Sequence, residues 1–313
     1  MKRILITGVT GFIGSNIVRH FSGRDNVVLV GHSRDAAKAR AQFKQSPVEI
    51  IELYSATTFD ELKIDTIIHL AGIAHDLSGE YQTEDYYRVN CEHTKFIFDE
   101  FTKSTAKKFI YFSSIKAAVD TSSLPADESI MSAPVTDYGK SKRKAEEYIQ
   151  SSDLAGSKKA FIVRPCMIHG QGNKGNLNLL YRYAKKGLPY PFGAFENQRS
   201  FLSIDNLNFI IQSFITNDDI PSGIFHLADD GFLSTKELYQ LISEELGKTP
   251  RVLSLQAGMV KLLFSLAGKS AMLDKLTENM MVSNAKMSQY TSQPLPLGMR
   301  DGLRKTIRSF DGA

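Results

Sequence analysis

The sequence predicts an α/β fold: a doubly wound parallel sheet carrying a smaller mixed α/β lobe on its C-terminal side. Two observations carry this reading. Short apolar runs alternate with helical stretches through the first half of the chain, the pattern of parallel strands joined by crossover helices. A glycine-rich turn also separates the first apolar run from the first helical one.

Taken in order, Lys2-Arg3-Ile4-Leu5-Ile6-Thr7 reads as a strand over 3–7, and the stretch after the glycines as a helix over 13–22. Val27-Val28-Leu29-Val30 marks a second strand at 27–31, with a helix at 34–43 after it. Strands at 48–53 and 66–70 flank a short helix at 58–62. Long helical stretches at 84–103 and 138–151 precede strands at 109–113 and 160–164. After Arg164-Pro165 the alternation loosens: Gly170-Gln171-Gly172-Asn173-Lys174-Gly175 reads as a loop, and Pro189, Pro191 and Gly193 punctuate the next stretch. The first lobe is therefore placed at 1–165 and the second at 166–313. The chain returns to the first lobe around 204–228, where Ile224-Phe225-His226-Leu227-Ala228 reads as another strand.

Composition limits the function classes. A chain of 313 residues can bury a large core. The net charge of +4 is dispersed rather than blocked, which suits a small anionic ligand and does not suggest nucleic acid. Cys91 and Cys166 are the only cysteines and lack metal-ligand spacing; they read as reduced core thiols in a cytoplasmic protein. No metal site is expected. No apolar run reaches the roughly 18 residues that span a bilayer. The N-terminal Lys-Arg and apolar run imitate a leader peptide, but glycines interrupt it and no small-residue cleavage site comes after it. Residues 257–268 are nearly continuously apolar; the reading preferred here is a helix packed inside the second lobe, with contact to a membrane surface as the alternative.

Two motifs carry chemistry. In Gly8-Val9-Thr10-Gly11-Phe12-Ile13-Gly14, a strand, a glycine turn and a helix succeed one another. Gly8 permits the tight turn, Gly11 lets the backbone approach a pyrophosphate and Gly14 lets helix and strand pack closely. The helix N-terminus then offers free N–H groups to the anion. The spacing is G-x-x-G-x-x-G rather than the commoner G-x-G-x-x-G. The second motif is Tyr138-Gly139-Lys140-Ser141-Lys142. Residues i and i+4 share a helix face, with Cβ atoms about 6 Å apart. A phenol titrates near ~10 and an adjacent ammonium favours its ionised form. Tyr138 and Lys142 thus make an acid/base device for a carbinol oxygen, and a neighbouring hydride acceptor makes that alcohol–ketone chemistry.

On these residues the chain resembles the extended short-chain dehydrogenase/reductases, in particular the nucleotide-sugar epimerases and dehydratases, over nearly its whole length. Gly8, Gly11 and Gly14 match the family's cofactor turn. His69-Leu70-Ala71-Gly72, Asn90, Phe112-Ser113-Ser114 and Arg164-Pro165 match further segments. The resemblance implies a Rossmann lobe, a homodimer through residues 84–103 and 138–151, and a sugar nucleotide lying between the lobes. It implies cofactor contacts at Phe12, Ile13, Leu70, Ala71, Gly72, Asn90, Ser113, Tyr138, Lys142 and Pro165. It implies catalysis by Ser114, Tyr138 and Lys142, with Ser113 facing the cofactor. The family's 4,6-dehydratases place Asp-Glu directly after the catalytic residue. Ile115-Lys116 stands there instead, which disfavours water elimination and resembles UDP-hexose 4-epimerases of polysaccharide clusters. Substrate contacts implied by the same resemblance are His75, Lys116, Asn176, Leu177, Phe192 and Arg199.

One feature opposes the simplest reading. The second strand ends in Gly31-His32-Ser33-Arg34 with no acidic residue for a ribose 2′-hydroxyl; Asp35 comes late. Ser33 and Arg34 suit a 2′-phosphate, hence NADP(H). The expectation is a UDP-hexose or UDP-N-acetylhexosamine 4-epimerase using NAD. The alternatives are an NADPH-dependent reductase of a nucleotide-linked 4-keto-6-deoxy sugar and a non-catalytic dinucleotide sensor.

Overall fold

The computed structural model describes residues 1–74, 81–173, 175–268, 270–291 and 293–310. Its strands are β1 (Lys2–Thr7), β2 (Val27–His32), β3 (Val48–Ile51), β4 (Thr66–His69), β5 (Lys108–Phe112), β6 (Ser122–Ala126), β7 (Lys159–Pro165), β8 (Met167–His169), β9 (Phe201–Ser203), β10 (Gly223–Leu227) and β11 (Met280–Val282). Seven form one sheet in the order β10-β7-β5-β4-β1-β2-β3, every pair parallel. The strand order reverses between β1 and β4. Their carboxyl ends lie side by side there, with Thr7 opposite His69, and that is where an open α/β sheet leaves a crevice for ligands.

Both faces of the sheet are covered, so its strands are apolar on successive residues rather than alternate ones. Ile4, Ile6, Ile68, Ile110, Phe112, Phe161 and Val163 pack on one face with Ile17, Leu207, Ile211 and Phe214. Leu5, Val30, Ile67, Phe109, Tyr111 and Ile162 pack on the other with Phe59, Phe98, Phe101, Ala145 and Ile149. A third cluster draws only on later residues, among them Leu177, Tyr181, Tyr190, Leu238, Leu241, Leu303 and Ile307.

The strand read at 224–228 pairs with β7 as the outermost strand of the sheet. Helix Ile204–Thr216 precedes it and covers the first face together with helix Phe12–Phe21. Lys108 sits almost fully buried at the C-terminus of helix Ile204–Thr216. It donates to the carbonyls of Phe214 and Ile215 at 2.9 and 3.1 Å, which satisfies groups that the helix itself cannot.

Two elements differ from the sequence reading. The helix expected over 84–103 is helix Thr83–Tyr86, a π-helical turn Tyr87–Glu92 and helix His93–Lys103 in succession. The extra residue per turn reorients the side chains of this segment, Asn90 among them, and such insertions are frequent at functional sites. The apolar segment 257–268 forms helix Ala257–Leu266, but it is not interior: of its residues only Val260 is buried. Length and apolarity could not reveal this, because they are the same for a core helix and for one laid on a surface. Both cysteines are free and buried, and no helix among the described residues is long and apolar enough to cross a membrane.

Gly14 shows how closely the first helix meets the sheet. A Cβ there would lie 2.5 Å from the Gly8 carbonyl oxygen and 2.7 Å from that of Val9. Gly14→Ala should therefore destabilise the protein by about 1–3 kcal/mol, the usual cost of overpacking. Gly258→Ala, in a helix and with nothing near its Cβ position, should stabilise by up to about 1 kcal/mol. Urea unfolding of both variants checks the pair of signs.

Candidate active site

The glycine cradle, the catalytic-type residues and the loop after β4 all lie at the carboxyl edge of the sheet. Gly8, at φ +68°, turns the chain out of β1; a Cβ on it would stand 3.0 Å from the backbone nitrogen of Ala71. Gly11 occupies the N-cap of helix Phe12–Phe21, which has no side-chain cap and no acidic residue in its first turn. Its leading N–H groups are therefore available to an anion. These observations fit the pyrophosphate of a dinucleotide. Phe12 and Ile13, in the first turn, are partly exposed, and Asn16 reaches from the same helix to the carbonyl of Gln171 at 3.2 Å. The loop around Gly172 thereby lies against Phe12.

Leu70, Ala71 and Gly72 come directly after β4. Thr7 and His69 hold this segment: His69 Nδ1 and Thr7 Oγ1 are 2.7 Å apart, and the Ala71 N–H donates to the same hydroxyl. Asn90, from the π-helical turn, clamps the loop at both ends of its amide. Its Oδ1 accepts from the Ile73 N–H at 2.8 Å, and its Nδ2 donates to the Ile73 carbonyl and to Ser141 Oγ. Asn90 thus ties the loop to helix Asp137–Gln150. Gly72 must be small here, since a Cβ would meet Asn90 Oδ1 at 2.9 Å and Lys142 Nζ at 3.1 Å.

Helix Asp137–Gln150 begins at an N-cap, Thr136, whose hydroxyl accepts from the Gly139 N–H at 3.1 Å. Gly139 brings the helix against the short turn Ile115–Ala117; a Cβ would fall 2.3 Å from the Lys116 carbonyl oxygen. That contact sets Tyr138 near Ser114, whose hydroxyl favours ionisation of the phenol. The ring of Tyr86 stands edge-on to Tyr138, with centroids 6.4 Å apart. Lys142, one turn further, is buried; its ammonium donates to the Phe112 carbonyl at 2.9 Å and lies over the Tyr111 ring.

The electrostatics differ from the sequence expectation in one respect. Burial raises the Tyr138 phenol above its ordinary value, and the neighbouring Ser114 hydroxyl opposes this only in part. Lys142 does not lower it here, because its ammonium is directed at the Phe112 carbonyl. Burial pushes Lys142 itself down to about 8, against the pull of Glu146.

Three of the residues that the sequence assigned to ligands have their side chains engaged within the protein. Ser113 does not turn its hydroxyl toward the crevice: it donates to Glu146 Oε1 at 2.5 Å, inside the protein. Leu177 has its side chain in the third apolar cluster, so only its backbone at the start of helix Asn176–Lys185 remains for a ligand. Lys116 is engaged by Asp120, through its carbonyl at 2.6 Å and its carboxylate at 3.2 Å.

The other assigned residues take up these positions. Pro165 ends β7 and pairs with Leu227 of β10 at the same sheet edge. Ser33 bonds the backbone of Asp35, and the Asp35 carboxylate caps Lys38; Arg34 is exposed beside them. Asn176 is exposed, Phe192 meets Tyr190 and Phe264 edge-on, and Arg199 donates to the Glu278 carbonyl at 3.4 Å. His75 lies outside the described residues.

What the motifs did not disclose is the support beneath them. Glu146, fully buried, receives two hydrogen bonds from the buried Arg164, at 2.8 and 2.6 Å, besides that of Ser113. Arg164 continues to Ser132 and to His226, whose imidazole burial pushes down to about 4. The i+4 spacing from Lys142 to Glu146 was available in the sequence, but nothing there shows which buried cation it meets.

The family model for the NAD dependent epimerase/dehydratase family matches residues 4–228. The chain belongs to that family. Members of the NAD dependent epimerase/dehydratase family are enzymes, and two relatives are named as 4-epimerases. UDP-glucose 4-epimerase of Vibrio cholerae is 30% identical over 316 aligned residues, covering 99% of this chain and 95% of the relative. N-acetyl-alpha-D-glucosaminyl-diphospho-ditrans,octacis-undecaprenol 4-epimerase of Escherichia coli O157:H7 is 24% identical, covering 78% of this chain and 72% of the relative. Among solved structures, the Bordetella bronchiseptica enzyme WbmG in complex with NAD superposes with a TM-score of 0.77 at 19% identity, over 99% of this chain and 94% of that one. At that identity the likeness speaks for the fold.

The Glu146–Arg164 pair yields a stability prediction. Glu146→Leu leaves the Arg164 guanidinium buried without its partner and should cost on the order of 3–5 kcal/mol. The double variant Glu146→Leu/Arg164→Met should lose much less, since no charge is then stranded. A double-mutant cycle by urea denaturation measures the difference; equal losses in the single and double variants would remove the pair as the cause.

Proposed function

We propose that this chain is an NAD-dependent 4-epimerase of a diphosphate-linked hexose, in the first place a UDP-hexose or UDP-N-acetylhexosamine. The observation that carries the reading is the Ser114–Tyr138 hydroxyl pair, set at the carboxyl edge of the sheet beside the glycine cradle, with Lys142 one helical turn away. Both of these relatives are named for 4-epimerisation of a hexose joined to a diphosphate.

The residues that would hold the dinucleotide are Gly8, Gly11 and the first turn of helix Phe12–Phe21 for the pyrophosphate, and Leu70–Gly72 with Lys142 for the part near the reacting carbon. NAD, when bound, supplies a hydride acceptor that takes the C4 hydride of the sugar and returns it. The chain's own residues move the proton. Tyr138 accepts the 4-hydroxyl proton as its carbon is oxidised and returns it on reduction, and Ser114 bridges phenol and sugar oxygen. The 4-keto sugar turns between the two steps and presents its other face. With Tyr138 raised by burial, the phenol is protonated at neutral pH in this structure, the form needed on the return step. The phenolate needed on the outward step is reached when the charged Lys142 turns from the Phe112 carbonyl toward Tyr138. Arg199 is proposed to contact the diphosphate, and helices His93–Lys103 and Asp137–Gln150 to form a homodimer.

A second reading has its own observation. The β2 end offers Ser33 and an exposed Arg34, and the Asp35 carboxylate is turned into its own helix. This suits a 2′-phosphate and an NADPH-dependent reductase of a 4-keto-6-deoxy sugar. The deciding experiment denatures the purified protein, identifies the released nucleotide and monitors UDP-glucose and UDP-N-acetylglucosamine by NMR. The expected result is NAD together with galacto epimers and no net cofactor consumption. No epimer, with NADPH bound more tightly than NADH, would overturn it.

Tyr138→Phe should lower kcat by about 10²–10⁴-fold, the usual weight of a positioned acid/base, with dinucleotide binding retained. As Lys142 loses its proton near pH 8, activity should fall on the alkaline side. Its neighbours Glu146, Tyr111 and His69 face it, and of these only the Glu146 carboxylate favours the charged form. Glu146→Gln should therefore move that alkaline limb to lower pH, read from kcat against pH.

A further inference from the structure

Helix Ala257–Leu266 carries its apolar side chains to two faces. Val260 is buried, and Phe264 packs edge-on against Phe192 with centroids 5.6 Å apart. Met259, Leu262, Leu263 and Leu266 stand at i, i+3, i+4 and i+7, so they form one stripe along the opposite side. They are 48%, 60%, 57% and 79% exposed. Leu253 and Leu255, in the extended segment leading into the helix, are exposed as well. The other large exposed apolar residues are scattered through the chain, whereas these six fall within one short segment. A patch of this kind on a protein surface marks a contact.

Charge selects the occupant. From Leu246 to Leu273 the chain carries Lys248, Arg251, Lys261 and Lys269 and no acidic residue. Arg251 and Lys261 are exposed, and Lys248 bonds the carbonyl of Lys185, which adds Lys185 and Lys186 to the same neighbourhood. A second copy meeting this patch about a two-fold axis would bring the same cations together. An anionic bilayer answers both properties at once, taking the leucine stripe below its headgroups and the cations at their level.

We propose that residues 253–266 are a docking surface for an anionic lipid bilayer, with helix Ala257–Leu266 lying in the plane of the interface. The surface backs directly onto Phe192 through Phe264, so docking places Phe192 next to the membrane face. The inference does not depend on which sugar is epimerised, nor on whether the protein is an epimerase at all.

The chain contains no tryptophan, which makes a single Leu266→Trp a clean reporter. Mixed with phosphatidylcholine vesicles containing phosphatidylglycerol, this variant should show a blue-shifted emission and quenching by brominated lipid. In flotation, the natural protein should rise with those vesicles, and at least tenfold less with phosphatidylcholine alone. Binding should weaken at about 1 M salt, where the screening length is about 3 Å. Each of Arg251→Gln and Lys261→Gln should reduce partitioning by about fivefold. Leu262→Asp/Leu263→Asp should abolish it while the unfolding temperature stays unchanged, because both side chains are already exposed. Failure of the natural protein to float, or an unshifted Leu266→Trp spectrum, overturns the proposal. So does a dimer that dissociates in Leu262→Asp/Leu263→Asp without any vesicle binding, which would assign the patch to a second copy.

Discussion

A carboxylate and a guanidinium that are both withdrawn from water impose the central constraint on this molecule. Glu146 and Arg164 cannot be left apart in the interior, so helix Asp137–Gln150 and β7 must meet where their charges meet. The same carboxylate takes the Ser113 hydroxyl, which fixes the residue next to Ser114. Arg164 passes the constraint on to His226 of β10. Three strands and one helix are thus brought into register around a single ion pair. The relative positions of Ser114, Tyr138 and Lys142 derive from that register more than from any contact among the three.

The crevice itself is a property of topology. Parallel strands put all their carboxyl ends on one edge, and the reversal of order between β1 and β4 leaves that edge open. Small residues then let the walls approach: Gly8 against Ala71, Gly72 against Asn90 and Lys142, Gly139 against the Lys116 carbonyl. The π-helical turn places Asn90 where one amide can hold a loop and a helix together. Burial is the common electrostatic cause at this site, raising the phenol and lowering the ammonium. Each group is thereby held toward its neutral form, and a bound ligand that changes the local charge can tip either one.

The later part of the chain divides its apolar residues between an interior cluster and an exposed stripe. Leu177, expected to grip a ligand, belongs to the interior. Leu262, Leu263 and Leu266, expected to be interior, belong to the surface. One cause explains both reversals. Hydrophobicity states that a side chain prefers to leave water, and only the packing of other elements states whether protein is there to receive it.

From the sequence alone the alternating elements, the glycine turn and the Tyr138–Lys142 pair were legible, because each depends on spacing along one strand, turn or helix. Local periodicity is enough to place such features, and their elements fall within a few residues of the structure's. The π-helical insertion, the partner of Glu146 and the inward turn of Ser113 were decided by tertiary structure. Each depends on what burial leaves within hydrogen-bond reach, and a buried charge takes whichever partner the fold brings to it.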